Sequence, residues 1–321
     1  MRTNLSSLLE AFESDLRACP STKPVERQLA RYRKKADLGD TSLSSVALAN
    51  FRTVNELAGK VVVGLTSDEV SRCRDFIEHA LWRANDGIQE TFNLSTCLRD
   101  WRFGPGASRL TRSTHFVDKI TDRAGSVSSS ALPYAFLLRK MNPYLRAYDC
   151  QEGYEFRECN ASQMSTVPKN EDTHRTICTE PLWNMSLQLA FGQVVERALC
   201  ALGHDIRCQA ELNKSLACAG SLYGDLATID LKNASDLITP ELIGLLWPPD
   251  CFSFMMAVRS SATLIDGELL DLNMISTMGN GFTFPVMTLT LLALSHTACN
   301  FRRHFVPWDK LAVFGDDIIV P

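Results

Sequence analysis

An α+β fold is predicted, and three observations carry that expectation. Residues 70–84 and 187–202 place apolar side chains at the spacing of a helix face. Residues 164–178 and 311–320 each hold two β-rich runs joined by a polar turn, as antiparallel hairpins do. Residues 276–285 form a glycine-rich loop that leads into a helix with Pro285 in its first turn. At 321 residues, 45% hydrophobic and 22% charged, the chain can bury one large core or two modest ones and is neither disordered nor fibrous.

The helix at 70–84 opens on Thr66 and Glu69, a capping box. Val70, Cys73, Phe76, Ile77, Ala80, Leu81 and Ala84 form its core-facing stripe. In the second helix, Leu187, Phe191, Val194, Val195, Ala198 and Leu202 are the buried face, and Gly203 stops it. The apolar run at 286–294 is broken by threonines and far short of the ~20 residues that span a bilayer, so it reads as a buried helix. The N-terminus carries acids in its first turns and lacks a signal peptide's apolar core, so an intracellular protein is expected.

Eleven cysteines are scattered, none in a CxxC pair. Cys200, His204 and Cys208, with Cys218 beyond, are spaced more like thiols of a reducing compartment than like a zinc site. Charge is uneven: residues 221–321 hold 5 Lys/Arg and 11 Asp/Glu, a net of −6. The remaining 28 and 26 leave residues 1–220 at +2.

Cations cluster in three places. Arg27, Arg31, Arg33, Lys34 and Lys35 form a basic patch that suits phosphate contact or a solvated helix face. After the Gly104-Pro105-Gly106 turn, Arg109, Arg112 and Lys119 stand among hydroxyl residues, in a stretch that is either a phosphodiester contact or a plain loop. On the hairpin at 164–178, Lys169 and Arg175 sit on opposite arms, where a planar fork and a point charge could grip a triphosphate or, as a bare pattern, simply decorate the surface.

Carboxylates complete the pattern. A short apolar strand ends in Asp230, and Asp236 follows six residues later where a helix begins. One helix and a hairpin turning at Asp266-Gly267 are expected between 241 and 270. Gly315-Asp316-Asp317 then sits at the tip of the last hairpin. Gly and Asp are common turn residues, so this tip alone is weak; its position after the other parts is specific.

That order, a basic hairpin, a strand-borne Asp, a Gly-rich loop before a helix and a GDD hairpin, resembles motifs F, A, B and C of viral RNA-directed RNA polymerases. The wording TVPKN, RTICTEPLWNM, DLKNASD, STMGNGFTF and FGDDII is similar to the replicase β subunits of the small single-stranded RNA bacteriophages, the leviviruses. The likeness covers residues 100–321. It implies a right-hand polymerase fold: helical fingers, an antiparallel-sheet palm and, with the chain stopping at Pro321, no thumb. The expected division is an N-terminal helical region at 1–90, fingers with the basic hairpin at 91–215, and palm at 216–321.

By the same resemblance, Asp230, Asp316 and Asp317 hold two Mg²⁺ ions, with Mn²⁺ able to substitute, and catalyse nucleotidyl transfer. Lys169 and Arg175 bind the incoming triphosphate. Gly279, Gly281 and Thr283, with Asn280, support the template and nascent pair. Two positions depart from the common pattern. Ser235 stands where many polymerases carry a second Asp, with Asp236 one further, and Met287 stands where an Asn is common. Ser235, Asp236 and Asn280 are therefore the candidates for reading the ribose 2′-OH.

The implied partners are RNA template and product, ribonucleoside triphosphates, the host elongation factors Tu and Ts and a ribosomal protein, in the cytoplasm of an infected bacterium and without a membrane. The chain alone, as an N-terminal fragment, is expected to be inactive. The alternatives are a catalytically silent RNA-binding fragment and a reverse transcriptase.

Overall fold

The computed structural model describes residues 41–84, 92–111, 114–170, 172–302 and 310–321, together with Ala11 and Ser14. The basic patch at Arg27, Arg31, Arg33, Lys34 and Lys35 and the cation Arg112 lie outside the described residues. Helices α1 (Thr41–Ala58), α2 (Ser67–Ala84), α3 (Leu94–Arg99) and α4 (Phe116–Thr121) come first, then strand β1 (Ala124–Val127). Next are α5 (Leu132–Met141), α6 (Pro143–Glu152), β2 (Glu155–Glu158), β3 (Ala161–Asn170), β4 (Thr173–Thr179), α7 (Leu182–Ala201) and α8 (Gln209–Tyr223). The last third holds β5 (Ala227–Asp230), α9 (Ala234–Leu237), α10 (Pro240–Leu246), α11 (Pro249–Val258), β6 (Ala262–Ile265) and β7 (Glu268–Asp271). It closes with α12 (Thr283–Arg302), β8 (Ala312–Phe314) and β9 (Asp317–Val320). The α+β expectation holds.

Two compact units divide the chain, one of Met1–Thr53 with Met164–Ile177 and the other of Val54–Gln163 with Cys178–Pro321. In the first, the outer parts of β3 and β4 make the expected hairpin. The Ser44 hydroxyl ties into it, 3.0 Å from His174 Nδ1 and accepting from Thr166 Oγ1 at 2.9 Å.

The second unit is built on α7, whose Trp183, Leu187, Phe191, Val195 and Leu199 are wholly buried. Helix α2 packs on it through Cys73, Ile77, Ala80 and Leu81, four of the seven stripe residues; Val70, Phe76 and Ala84 pack at the margin. The capping box forms as read, with Thr66 N donating to Glu69 Oε2 at 2.8 Å and Glu69 N to Thr66 Oγ1 at 3.3 Å. Gly203, at φ +85°, ends α7 in the left-handed region that glycine tolerates.

Three local outcomes differ from the sequence reading. Between 241 and 258 two helices form, not one. Pro248 forces Trp247 out of helical conformation, and Pro249 restarts the chain as the first residue of α11. Parallel pairs also occur that local pattern could not show: β1 with β2, and Ala161–Gln163 of β3 with β6. Third, Lys119 does not face a phosphate chain. Its side chain is buried, and its ammonium donates to the carbonyls of Gly104 at 2.6 Å and Gly106 at 2.8 Å, tying down the Gly-Pro-Gly turn. Burial lowers its pKa below the usual lysine value. Arg109 also bonds inward, to the Ala161 carbonyl.

Candidate active site

The three-stranded sheet β5-β9-β8 is antiparallel throughout, and the predicted hairpin is its β8–β9 half. Phe314 pairs with Asp317, which leaves Gly315 and Asp316 as a two-residue loop. Gly315 alone has positive φ, +63°, the arrangement of a type II′ turn. Helix α12 holds this turn. Gly315 N donates to Thr288 Oγ1 at 3.1 Å, and Thr288 in turn donates to the Phe284 carbonyl at 2.8 Å. A Cβ at Gly315 would lie 2.6 Å from the Phe284 ring, so only glycine fits here.

Strand register brings the acidic residues together. Asp230, the last residue of β5, is the direct cross-strand partner of Asp317, and Leu231 N donates to the Asp316 carbonyl at 3.3 Å. Asn213 of α8 donates to the Asp317 carbonyl at 3.3 Å, and His204 Nε2 donates to the Leu311 carbonyl at 3.2 Å, so both brace the hairpin from its buried side. All three Asp residues are exposed. The Asp317 carboxyl is held above the usual range, first by desolvation and then by the negative charges of Asp316 and Asp230. Among the described residues no cation pairs with these three carboxylates. Nor do any three His, Cys, Asp or Glu side chains form, as they stand, a group that could hold a metal ion. The donor set nonetheless fits a hard divalent cation: three carboxylates, solvent-facing and mutually repelling.

The glycine-rich loop lies at the start of α12. Gly279, at φ +107°, is exposed and its neighbour Met278 accepts from Cys178 N at 2.8 Å; a Cβ at 279 would meet the Cys178 carbonyl at 2.2 Å. Gly281 approaches α7 so closely that its Cβ would meet Leu189 N at 2.7 Å. Asn280 is buried and accepts from Phe282 N at 3.0 Å through Oδ1, and its Nδ2 has no partner. Thr283 Oγ1 donates to the Thr277 carbonyl at 2.8 Å. Ser235 and Asp236 share α9, where Ser235 Oγ donates to Asp236 Oδ1 at 3.1 Å and burial raises the Asp236 pKa. Lys169 and Arg175 are exposed on the hairpin of the other unit.

Sequence reading missed the buried polar residues that hold the loop. Gln188 of α7 accepts from Gly281 N at 3.2 Å through Oε1, while its Nε2 donates to the Val258 carbonyl at 2.9 Å and to Glu180 at 3.1 Å. Glu180 is itself buried and accepts from Ser260 Oγ at 2.6 Å. The signal was available: Asn184 and Gln188 are polar residues four apart on an otherwise apolar helix face.

These elements define an α+β protein with an exposed acidic site on an antiparallel sheet, its turn anchored to the helix that follows a glycine-rich loop. The family described as RNA replicase, beta-chain matches residues 67–321, and the chain belongs to that family. It is 36% identical over 298 residues to the RNA-directed RNA polymerase beta chain of Enterobacteria phage fr, covering 90% of this chain and 54% of the relative. It is 38% identical over 198 residues to the polymerase beta chain of Escherichia phage MS2, covering 61% and 36%. With the polymerase subunit beta of Escherichia virus Qbeta it shares 37% identity over 229 residues, covering 70% and 37%. The chain thus spans about a third to a half of the length of these relatives.

Proposed function

We propose that this chain carries the catalytic centre of an RNA-directed RNA polymerase that replicates a single-stranded RNA phage genome. One observation supports it above the rest: strand register pairs Asp230 with Asp317 beside the turn residue Asp316, and no described cation neutralises them. In this reading the three carboxylates hold two Mg²⁺ ions, or Mn²⁺ in their place. Such ions, when bound, supply Lewis acidity to the attacking 3′-OH and to the leaving pyrophosphate.

The chain's own residues do the rest. Lys169 and Arg175 neutralise the triphosphate, Arg by a fork and Lys as a point charge. Ser235, Asp236 and Asn280 supply polar atoms for the ribose 2′-OH, and Asn280 has a spare buried donor. Gly279, Gly281 and Thr283 fix the loop that supports the template and nascent pair. The right-hand fold, two-metal chemistry, cytoplasmic location in the host, and association with elongation factors Tu and Ts and a ribosomal protein belong to the same proposal. Among the described residues no helix is long and apolar enough to cross a membrane.

The test is primer extension by the complete replicase. Incorporation that requires Mg²⁺ and is lost in Asp316→Ala supports the assignment; activity that survives the substitution removes it. A catalytically silent RNA-binding chain is the second reading. RNA binding without incorporation selects it.

A further inference from the structure

Helices α5 and α6 and strand β2 line a cavity of about 490 Å³ that takes no part in the acidic site. Among the described residues its walls are Phe136, Arg139, Lys140, Arg146, Tyr154 and Phe156: three cations, three aromatic rings and no carboxylate. The Tyr154 and Phe156 rings are fixed in advance. Trp183 Nε1 donates to Tyr154 Oη at 2.9 Å, and the Tyr154 and Phe156 rings meet edge to face at 5.2 Å. Gly125 of β1 makes the room, since a Cβ there would stand 2.2 Å from Tyr154 Oη.

The cations are arranged over these faces. The Arg139 guanidinium lies 3.4 Å from the Tyr154 ring centre, and the Lys140 ammonium 4.4 Å from that of Phe136. Lys140 and Arg146 are exposed, and neither has an ion-pair partner among the described residues. Phe136 is 50% exposed, with the Lys140 ammonium over its ring.

We propose that this cavity is an RNA-binding site separate from the acidic centre, taking an unpaired nucleotide of a single strand. An exposed aromatic face such as that of Phe136 accepts a base whatever its identity, and the exposed cations Lys140 and Arg146 accept the adjoining phosphates. The volume is in the range of small-ligand pockets, whereas a protein partner needs a broad face of roughly 800 Å² per side. The proposal rests on RNA being this chain's substrate.

The experiment is fluorescence anisotropy of a labelled oligouridylate of about ten nucleotides with the complete replicase. The Lys140→Glu/Arg146→Glu pair reverses two exposed charges and is expected to weaken binding tenfold or more. The slope of log affinity against log salt should become shallower by about 1.4, two phosphates at ~0.7 each. Phe136→Ala should weaken binding about fivefold at every salt concentration, within the range of one lost stacking contact. The control pair Arg72→Glu/Lys214→Glu reverses exposed charges elsewhere and should change affinity less than twofold.

Equal losses from the two charge pairs, an unchanged salt slope, or no RNA binding at all overturns the proposal. Unchanged RNA affinity would instead assign the face to an acidic protein surface. Anisotropy reads binding alone and incorporation reads the acidic centre, so failure of the cavity and failure of the polymerase reading give different results.

Discussion

At the residue scale, two positions tie chemistry to fold by single atoms. Gly279 needs φ +107° and has the Cys178 carbonyl where a Cβ would stand, so Gly279→Ala must shift backbone on one side or the other. A cost of about 2 kcal/mol or more is expected, read as a lower urea midpoint. Glu180 gives a pH-dependent prediction. Desolvation raises its pKa, more than Ser260, Gln188 and the nearby charge of Arg259 lower it. The fold therefore favours the protonated acid. Its contribution is complete below the unfolded-state pKa of about 4.3 and is lost as pH rises through the elevated folded value. Glu180→Gln keeps the hydrogen bonds without the charge, so its stability relative to the parent should improve as pH rises above the unfolded-state value, until Glu180 of the parent has ionised. Relative stability that instead falls as pH rises would mean that Glu180 is ionised in the fold, beside Arg259.

At the element scale, the hairpin and α12 form one device. The buried Thr288 hydroxyl accepts from Gly315 N while donating back to its own helix, so the acidic turn is fixed to α12 by one side chain. Thr288→Val keeps the shape and orphans the Gly315 amide, which should cost about 1–3 kcal/mol. It should also lower incorporation by the complete replicase, with Asp230, Asp316 and Asp317 all still present. Undiminished incorporation would show that the turn needs no such tether. Elements of this kind divide what sequence can and cannot disclose. The hairpins, the capping box and the C-terminal stop of α7 were legible because Gly, Thr, Glu and apolar spacing act within a few residues. The acidic triad was legible only as a resemblance, since Asp230 meets Asp317 through a sheet closed across 87 positions. Lys119 read as a free cation because nothing local shows that two carbonyls of the Gly-Pro-Gly turn wait for it. Pairing of β3 with β6 joins residues about a hundred apart, beyond any local pattern.

At the scale of the larger unit, the acidic hairpin is continuous with the main core. Val313 and Ile318 belong to the same apolar cluster as Trp183, Phe191 and Leu289, and α2, α7, α11 and α12 all contribute to it. A ligand that binds the carboxylates should therefore stabilise the unit as a whole, rather than a frayed edge. At tenfold excess over its dissociation constant, a cation that binds only the folded state adds about 1.4 kcal/mol, a rise in Tm on the order of 3 °C. Two sources of such a rise must be separated. General screening of the −6 charge in residues 221–321 would come equally from monovalent salt of the same ionic strength. Specific binding would not, and it should vanish in Asp316→Ala, where the part of the Asp317 shift that Asp316 adds to desolvation is also removed. Thermal melts with MgCl₂, with NaCl matched in ionic strength, and with each salt on Asp316→Ala decide the point. A Mg²⁺-specific rise confined to the parent assigns the ions to the triad; equal rises in all four would leave the carboxylates with screening alone and count against the metal reading.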